Sequence, residues 1–194
     1  MTLSFIKEQM MAAKRLREKK SFPLSKVYGL LEPGPVVLVS TTRDGRPNVM
    51  PLSWQTMFEF VPPIVGCVVS NQNYTFDALQ ATGQCAINIP TVELAKQVAA
   101  CGNCSGRKVD KFAKFGLTPV AASKIDAPLV AECYANLECK VIDTRLVDDY
   151  CFFILQVVKA WIDPAKKRPQ TIHHLGRGEF MVAGRTIKLP SKKK

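Results

Sequence analysis

The sequence has no apolar run approaching the roughly 20 residues that a helix needs to span a bilayer. Its first apolar stretch is broken by Lys7 and Glu8, and no small-residue cleavage site follows, so a secretory leader is not expected. It shows no internal repeat and, apart from the closing lysines at 192–194, no low-complexity region. No glycine-rich phosphate loop follows the first apolar strand, and strands do not alternate regularly with helices. Those two absences argue against a doubly wound α/β fold. Histidine is scarce: His173 and His174 are the only two. Adjacent side chains on an extended segment point to opposite faces, so at most one is expected to enter a site. Spacing alone assembles no Ser-His-carboxylate constellation, and no dinucleotide-binding signature is present.

Acidic residues are also few, 16 against 27 Lys and Arg, which leaves a net charge of +11. Much of the excess lies near the ends, at Lys14, Arg15, Arg17, Lys19 and Lys20 and at Lys192 to Lys194. No aromatic-interleaved platform or recognition-helix motif accompanies it, so specific nucleic-acid binding is not expected. A doubly anionic cofactor or an acidic protein partner is a better match for the charge. The seven cysteines are an odd number spread over a mid-sized chain, which suggests a reducing cytoplasm rather than a disulfide framework. Cys101 and Cys104 form a lone Cys-x-x-Cys. Cys133 and Cys139 make no matching second pair, so no metal site is assigned. A structural role for these thiols and a redox or ligand-contact role beside Arg107 and Lys108 both stay open.

The 194 residues, 47% of them hydrophobic, suit one domain with a full core. Residues 3–20 read as an amphipathic helix, with Phe5, Ile6, Met10, Ala13 and Leu16 near one face. Val36 to Thr42 is a β-branched run suited to a strand. Asp44-Gly45 predicts a tight hairpin turn. The return arm carries Pro47 and Pro51, so it should lie at a sheet edge or peel away, delivering Ser53-Trp54 to a ligand wall or to the core. Further strands are predicted over 55–60, 64–70 and 85–89. Short helices should begin after the polar 71–75 loop and after Pro90-Thr91, ending near Gly83 and Gly102. Residues 134–142 alternate, with Ala135, Leu137, Cys139 and Val141 inward and Asn136, Glu138 and Lys140 outward. A second long strand covers 150–161, and a small hairpin is expected from Phe180 to Ile187. Many short strands with a few helices suggest a barrel-like β core.

Two clusters of donors stand out. Ser70, Asn71, Asn73 and Thr75 lie at a helix start, where hydroxyls, N–H groups and the positive helix end suit a phosphate or serve a plain cap. Ser105-Gly-Arg-Lys-Val-Asp-Lys adds a flexible glycine and three cations, a second anion clasp or a solvated basic loop.

Taken in order, several motifs resemble the flavin reductase-like family, the FMN-binding split-barrel group that includes flavoredoxins and NAD(P)H:flavin oxidoreductases. They are Pro35-Val-Val-Leu-Val-Ser-Thr, Asp44-Gly45 with Asn48, and Pro51-Leu-Ser-Trp, then Pro62-Pro63, Ser70 to Thr75, Thr82-Gly83 and Ile87-Asn-Ile-Pro. The most specific is Cys101-Gly-x-x-Ser-Gly-x-x-x-Asp-Lys-Phe, followed by Gly116-Leu-Thr and Ala127-Pro-Leu-Val-x-Glu-Cys. The resemblance implies a mainly β (α+β), Greek-key-like split barrel over residues 22–162. The helix at 1–21 and a basic extension at 163–194 would flank it. It implies FMN at the interface of a homodimer, with Met50, Pro51, Leu52, Ser53, Trp54 and Gln55 along the isoalloxazine. Ser70, Asn73 and Thr75, and by position Asn71, would serve the phosphate end. Asn88, Ser105, Gly106, Lys108, Asp110, Lys111 and Phe112 would complete the pocket. The implied activity is hydride transfer from NAD(P)H to flavin N5, with Trp54 and His174 bordering the nicotinamide space. The other implied role is that of a flavoredoxin-like carrier reduced by an acidic protein partner.

Overall fold

The computed structural model describes residues 19–27 and 34–190. The predicted N-terminal helix lies outside these residues except at its end, and there the chain is extended: β1 (Lys20–Ser21) pairs with the far end of a long strand. The remaining strands are β2 (Val37–Arg43), β3 (Arg46–Leu52), β4 (Gln55–Phe60), β5 (Pro63–Val68), β6 (Gln84–Ile89), β7 (Pro119–Val120), β8 (Leu129–Val130), β9 (Ala135–Asp143), β10 (Phe152–Ile162), β11 (Ile172–Gly176) and β12 (Glu179–Val182). Four helices are interspersed, α1 (Tyr74–Thr82), α2 (Ala95–Gly102), α3 (Lys111–Phe115) and α4 (Val147–Tyr150). The main sheet is antiparallel and runs β3-β2-β6-β9-β10-β5-β4, with β1 added on β10. This is the mainly β split barrel expected. Its two edge strands, β3 and β4, follow one another in sequence. The link Ser53-Trp54 therefore carries the chain directly from one edge of the sheet to the other.

The β2–β3 hairpin forms as predicted, with Asp44 and Gly45 both at positive φ in the turn. β3 is an edge strand, as its prolines require, but it does not peel away. Pro47 and Pro51 pair with Thr42 and Leu38, and the ladder continues to Leu52 opposite Val37. The two prolines share strand parity, so both direct their nitrogen to the open edge, where no ladder bond is lost.

Alternation on β2 divides the core. Val37 and Val39 face the barrel interior with Met50, Leu52, Val65, Cys67, Ile87, Leu137 and Phe153. Val36 and Leu38 face outward, where Val98 and Cys101 of α2, Phe112 of α3 and Ile172 of β11 cover them. α1 closes the barrel interior with Phe76 and Leu79, and Phe76 meets Phe153 edge to face at 5.3 Å. The hairpin β11–β12 begins earlier than the Phe180 start predicted. It is tied to the body by Val36 N–H, which donates to the Ile172 carbonyl at 2.8 Å.

The alternation on β9 is as read, and Lys140 is exposed, but the first half of its outer face is not solvated. Asn136 and Glu138 are fully buried beneath the 118–131 segment. Glu138 accepts from Ser123 N–H and Oγ, from Lys124 N–H and from Trp161 Nε1. Asn136 donates to Asn88 Oδ1 and to the Val130 carbonyl. A polar side chain on a strand's outer face was read as meeting water, and here a loop supplies its partners instead. Lys19 is buried too, with its Nζ on Asn136 Oδ1 at 2.5 Å and on the Cys133 carbonyl. Burial pulls its pKa down from 10.5 to about 8.

Candidate functional site

Two cavities meet along one side of the split. The larger, about 510 Å³, lies beside the Ser53-Trp54 link. Met50, Pro51, Leu52, Ser53 and Trp54 form one wall, Val98 and Ala99 of α2 another, and His174 and Phe180 of the β11–β12 hairpin a third. Trp54 is 70% exposed, so it belongs to the rim and not to the core. His174 and Phe180 face each other across the hairpin with ring centroids 5.1 Å apart. His173 points the other way, within 3.3 Å of Thr171 Oγ1, so only one histidine reaches the cavity. This is a cavity with mainly apolar walls.

The second cavity, about 300 Å³, is polar. Asn48 and Met50 of β3 form its floor. Gln72 to Thr75, at the start of α1, form one side, and Cys101 to Gly106 with Lys111 form the other. Met50, Asn73, Gly102 and Asn103 line both cavities, so the two form one continuous groove.

Several features make the polar end suitable for an anion. Asn73 takes the N-cap position of α1, but its side chain makes no capping bond, in contrast to the cap predicted for this loop. Tyr74 and Thr75, in the first turn of α1, line the cavity, and no side-chain cap from Asn73 neutralises the positive end of that helix. Lys111 is only 4% exposed and its Nζ donates to the Cys101 carbonyl at 2.7 Å. It makes no ion pair with a carboxylate among the described residues. Desolvation lowers its pKa, and a bound anion would reverse that penalty. Asn48 is 3% exposed; its Nδ2 donates to Thr75 Oγ1 at 3.0 Å, and its buried Oδ1 has no partner among the described residues. Gly106 seats its loop directly on this amide. A Cβ there would lie 2.1 Å from Asn48 Oδ1.

The predicted site residues divide accordingly. Pro51, Leu52, Ser53, Trp54 and Ser70 line the slot, Thr75, Ser105, Gly106 and Lys111 the polar cavity, and Met50 and Asn73 both. Ser70 thus sits away from Thr75, on the apolar side. The others line neither cavity. Asn88 is a core residue whose amide joins the Leu38 carbonyl, Ser40 Oγ, Val130 N–H and Asn136. Phe112 is buried beneath β2 and β3, and Asp110 caps α3 through Ala113 N–H at 3.1 Å. Gln55 reaches back to the Pro35 carbonyl at 2.6 Å, Asn71 accepts from Gln72 Nε2, and Lys108 is exposed. Sequence reasoning missed Asn48 as a lining residue, along with Asn103, Val98, Ala99 and Phe180. Asn48 carried a signal, a polar side chain between Pro47 and Val49 on an otherwise buried stretch.

Cys101 is buried, which pushes its thiol up to about 11, and Cys104 is half-exposed at the polar cavity. Among the described residues, no group of three or more His, Cys, Asp or Glu is placed to hold a metal ion. No helix among them is long and apolar enough to cross a membrane.

Comparison with known proteins gives a consistent result. The chain is 32% identical over 172 residues to the protein YddH of Escherichia coli (strain K12), covering 81% of this chain and 91% of that one. A protein of Archaeoglobus fulgidus is 34% identical over 113 residues, 58% of this chain; the chain spans only 64% of that relative's length. The structure superposes on an FMN-binding domain of a flavin reductases-like enzyme from Shewanella baltica OS155 with a TM-score of 0.82 and 29% identity, covering 89% of this chain and 97% of that one. On the flavoredoxin of Desulfovibrio vulgaris (Miyazaki F) the TM-score is 0.75 and the identity 27%, covering 82% and 92%. Residues 30–179 match the flavin reductase like domain, a span that includes every residue lining the groove except Phe180, and the chain belongs to that family.

Proposed function

We propose that the chain is a flavoprotein that holds FMN along this groove and reduces flavin with NAD(P)H. The observation that carries this reading is the order of chemistries along the groove. An apolar slot is followed by a junction of amides, then by a cationic cradle. FMN presents a flat ring, a polyol and a phosphate in the same order. Met50 to Trp54, Val98, Ala99 and Phe180 would flank the ring. The amides of Asn48, Asn73 and Asn103, which line the groove, suit the polyol hydroxyls. The first turn of α1, Ser105, Gly106 and Lys111 suit the phosphate.

Bound FMN supplies the hydride chemistry itself. The residues of this chain bind, orient and exclude water, and the transfer of a hydride asks no general base of the slot. Trp54 and His174 stand at the rim of the slot, where a nicotinamide ring would enter. Homodimerisation is supported by β4, a sheet edge on which Phe58 and Phe60 are 52% and 55% exposed, and by Val61 in the turn after it, 74% exposed. The seven unpaired thiols fit a reducing compartment such as the cytoplasm.

The reading is tested by mixing purified protein with FMN and NADH or NADPH. The protein should bind FMN, gain thermal stability from it, and speed the loss of nicotinamide absorbance over a protein-free control. Binding without nicotinamide oxidation would favour the second reading, a carrier like the D. vulgaris flavoredoxin, reduced by an acidic protein through the basic surface. Its reduction rate by such a donor should then fall steeply with salt.

A further inference from the structure

The walls of the polar cavity come from two separate segments, Gln72 to Thr75 and Cys101 to Gly106. Arg107 follows directly after the second wall and does not line the cavity. It reaches back across to the first wall instead. Its Nη1 donates to the Gln72 carbonyl at 3.1 Å and its Nη2 to Asp77 Oδ2 at 2.6 Å, and its guanidinium carbon lies 5.9 Å from the Tyr74 ring centroid. Asp77 lies in the first turn of α1 and also draws Arg43 Nη1, at 3.9 Å.

We infer that Arg107 is a positioning residue, whose clasp on Asp77 and Gln72 sets the width of the phosphate end of the groove. This inference rests on the FMN reading above. Both terminal nitrogens of Arg107 are engaged on the outer side of the wall. The cation directed into the cavity is Lys111. Arg107 thus acts on a bound phosphate only through the loop it holds. Gly106, seated on Asn48, fixes the loop from below, and Arg107 fixes it from the side. A clasp between partly exposed side chains adds little to global stability. Its effect belongs in the position of the Ser105-Gly106 backbone, and hence in affinity for a phosphorylated ligand.

The test compares FMN with riboflavin, which has the ring and polyol but no phosphate. Both would be titrated by flavin fluorescence into wild type, Arg107→Met, Arg107→Lys, Asp77→Asn and the Arg107→Met/Asp77→Asn double variant, with Tm measured alongside. Arg107→Met and Asp77→Asn should each raise the FMN Kd about twofold to fivefold, the scale of one exposed charge pair. Riboflavin affinity and Tm should hardly move. Arg107→Lys should recover part of the loss, and the double variant should be no worse than either single. If Asp77→Asn leaves FMN binding unchanged or tightens it, the clasp is overturned, because an Arg107 that touched phosphate itself would be freed by that change. Equal losses for FMN and riboflavin would also overturn it, by showing general damage. A wild type that binds neither flavin would overturn the FMN reading and this inference with it, whereas normal wild-type binding with unaltered variants removes the clasp alone.

Discussion

Replacing Gly106 by Ala tests the groove at its tightest point. Gly106 does not adopt positive φ, so alanine's backbone preferences are not at issue and the effect must come from contact. The new Cβ would meet Asn48 Oδ1 at 2.1 Å, Asn48 Cγ at 2.7 Å and Tyr74 Cδ1 at 3.1 Å. Asn48 is buried and short, and it can swing away only by giving up its 3.0 Å bond to Thr75 Oγ1. Overpacking of this kind costs about 1–3 kcal/mol, and the lost bond adds about 1 kcal/mol. Together these make a loss of about 2–4 kcal/mol, so Tm should fall by about 4–16 °C for a chain of this length. FMN affinity should fall at least tenfold, because both the cradle loop and the floor amide move. Thermal unfolding and flavin titration measure the two effects. The cause is isolated by a double-mutant cycle with Asn48→Ala, which removes the obstructing amide. The double variant should be less destabilised than the two singles added together. Additive losses, or a Gly106→Ala protein with wild-type Tm and Kd, would refute the close seating of this loop on β3.

Other perturbations follow from the same structure. Lys111→Gln should weaken FMN by about 1.5–3 kcal/mol, the worth of a hydrogen bond to a charged group, while sparing riboflavin; equal effects on both would place the phosphate elsewhere. Asn88→Ala strips partners from Val130 N–H and Asn136 and should cost about 2–4 kcal/mol in urea unfolding. The FMN Kd of the folded protein should stay within about twofold, as expected of a core residue whose loss the barrel absorbs; lost affinity without lost stability would return Asn88 to the site. Stability should also depend on alkaline pH. Between pH 8 and 10.5 the unfolded chain keeps the Lys19 proton that the folded chain has shed, so this group alone makes stability rise with pH. The buried thiols of Cys67, Cys101, Cys133 and Cys139 act oppositely, because burial raises their pKa and the folded chain keeps protons that the unfolded chain loses above pH 9. Four thiols outweigh one lysine once they begin to titrate, so under reducing conditions the urea midpoint should hold or rise up to about pH 8 and fall from about pH 8.5 upward. Lys19→Met should remove the early rise, and a decline starting below pH 8 would contradict this account.

Much of the barrel could be read from residues whose local preference agrees with their final place. Val36 to Thr42, Asp44-Gly45 and the two prolines specify a hairpin at a sheet edge without reference to distant residues. The slot was legible through Pro51 to Trp54 because the chain there leaves one edge strand for another. Burial that depends on a remote covering segment was not legible. Asn136 and Glu138 alternate like solvated residues, and only the 118–131 segment makes them core. Asn88 looked like a ligand contact for the complementary reason: an amide in an apolar strand signals a polar partner without saying whether it is ligand or protein. The β11 strand was missed because His173-His174 and Gly176 interrupt any apolar pattern, although Ile172 anchors it fully. Asn48 and Asn103 needed the third dimension, since their roles come from two loops that approach each other in space.

The direct link between β3 and β4 has a consequence for how the molecule can be taken apart. Among the described strands, the ladder joins every neighbour in the main sheet except these two edges, which are connected only through Ser53-Trp54. A chain cut or a flexible insertion at 53–54 would sever no registered strand pair, yet it would break the wall of the slot. The architecture and the ligand wall are therefore separable by one backbone edit, and the sheet could persist as a ligand-free scaffold with its edge-to-edge seam opened.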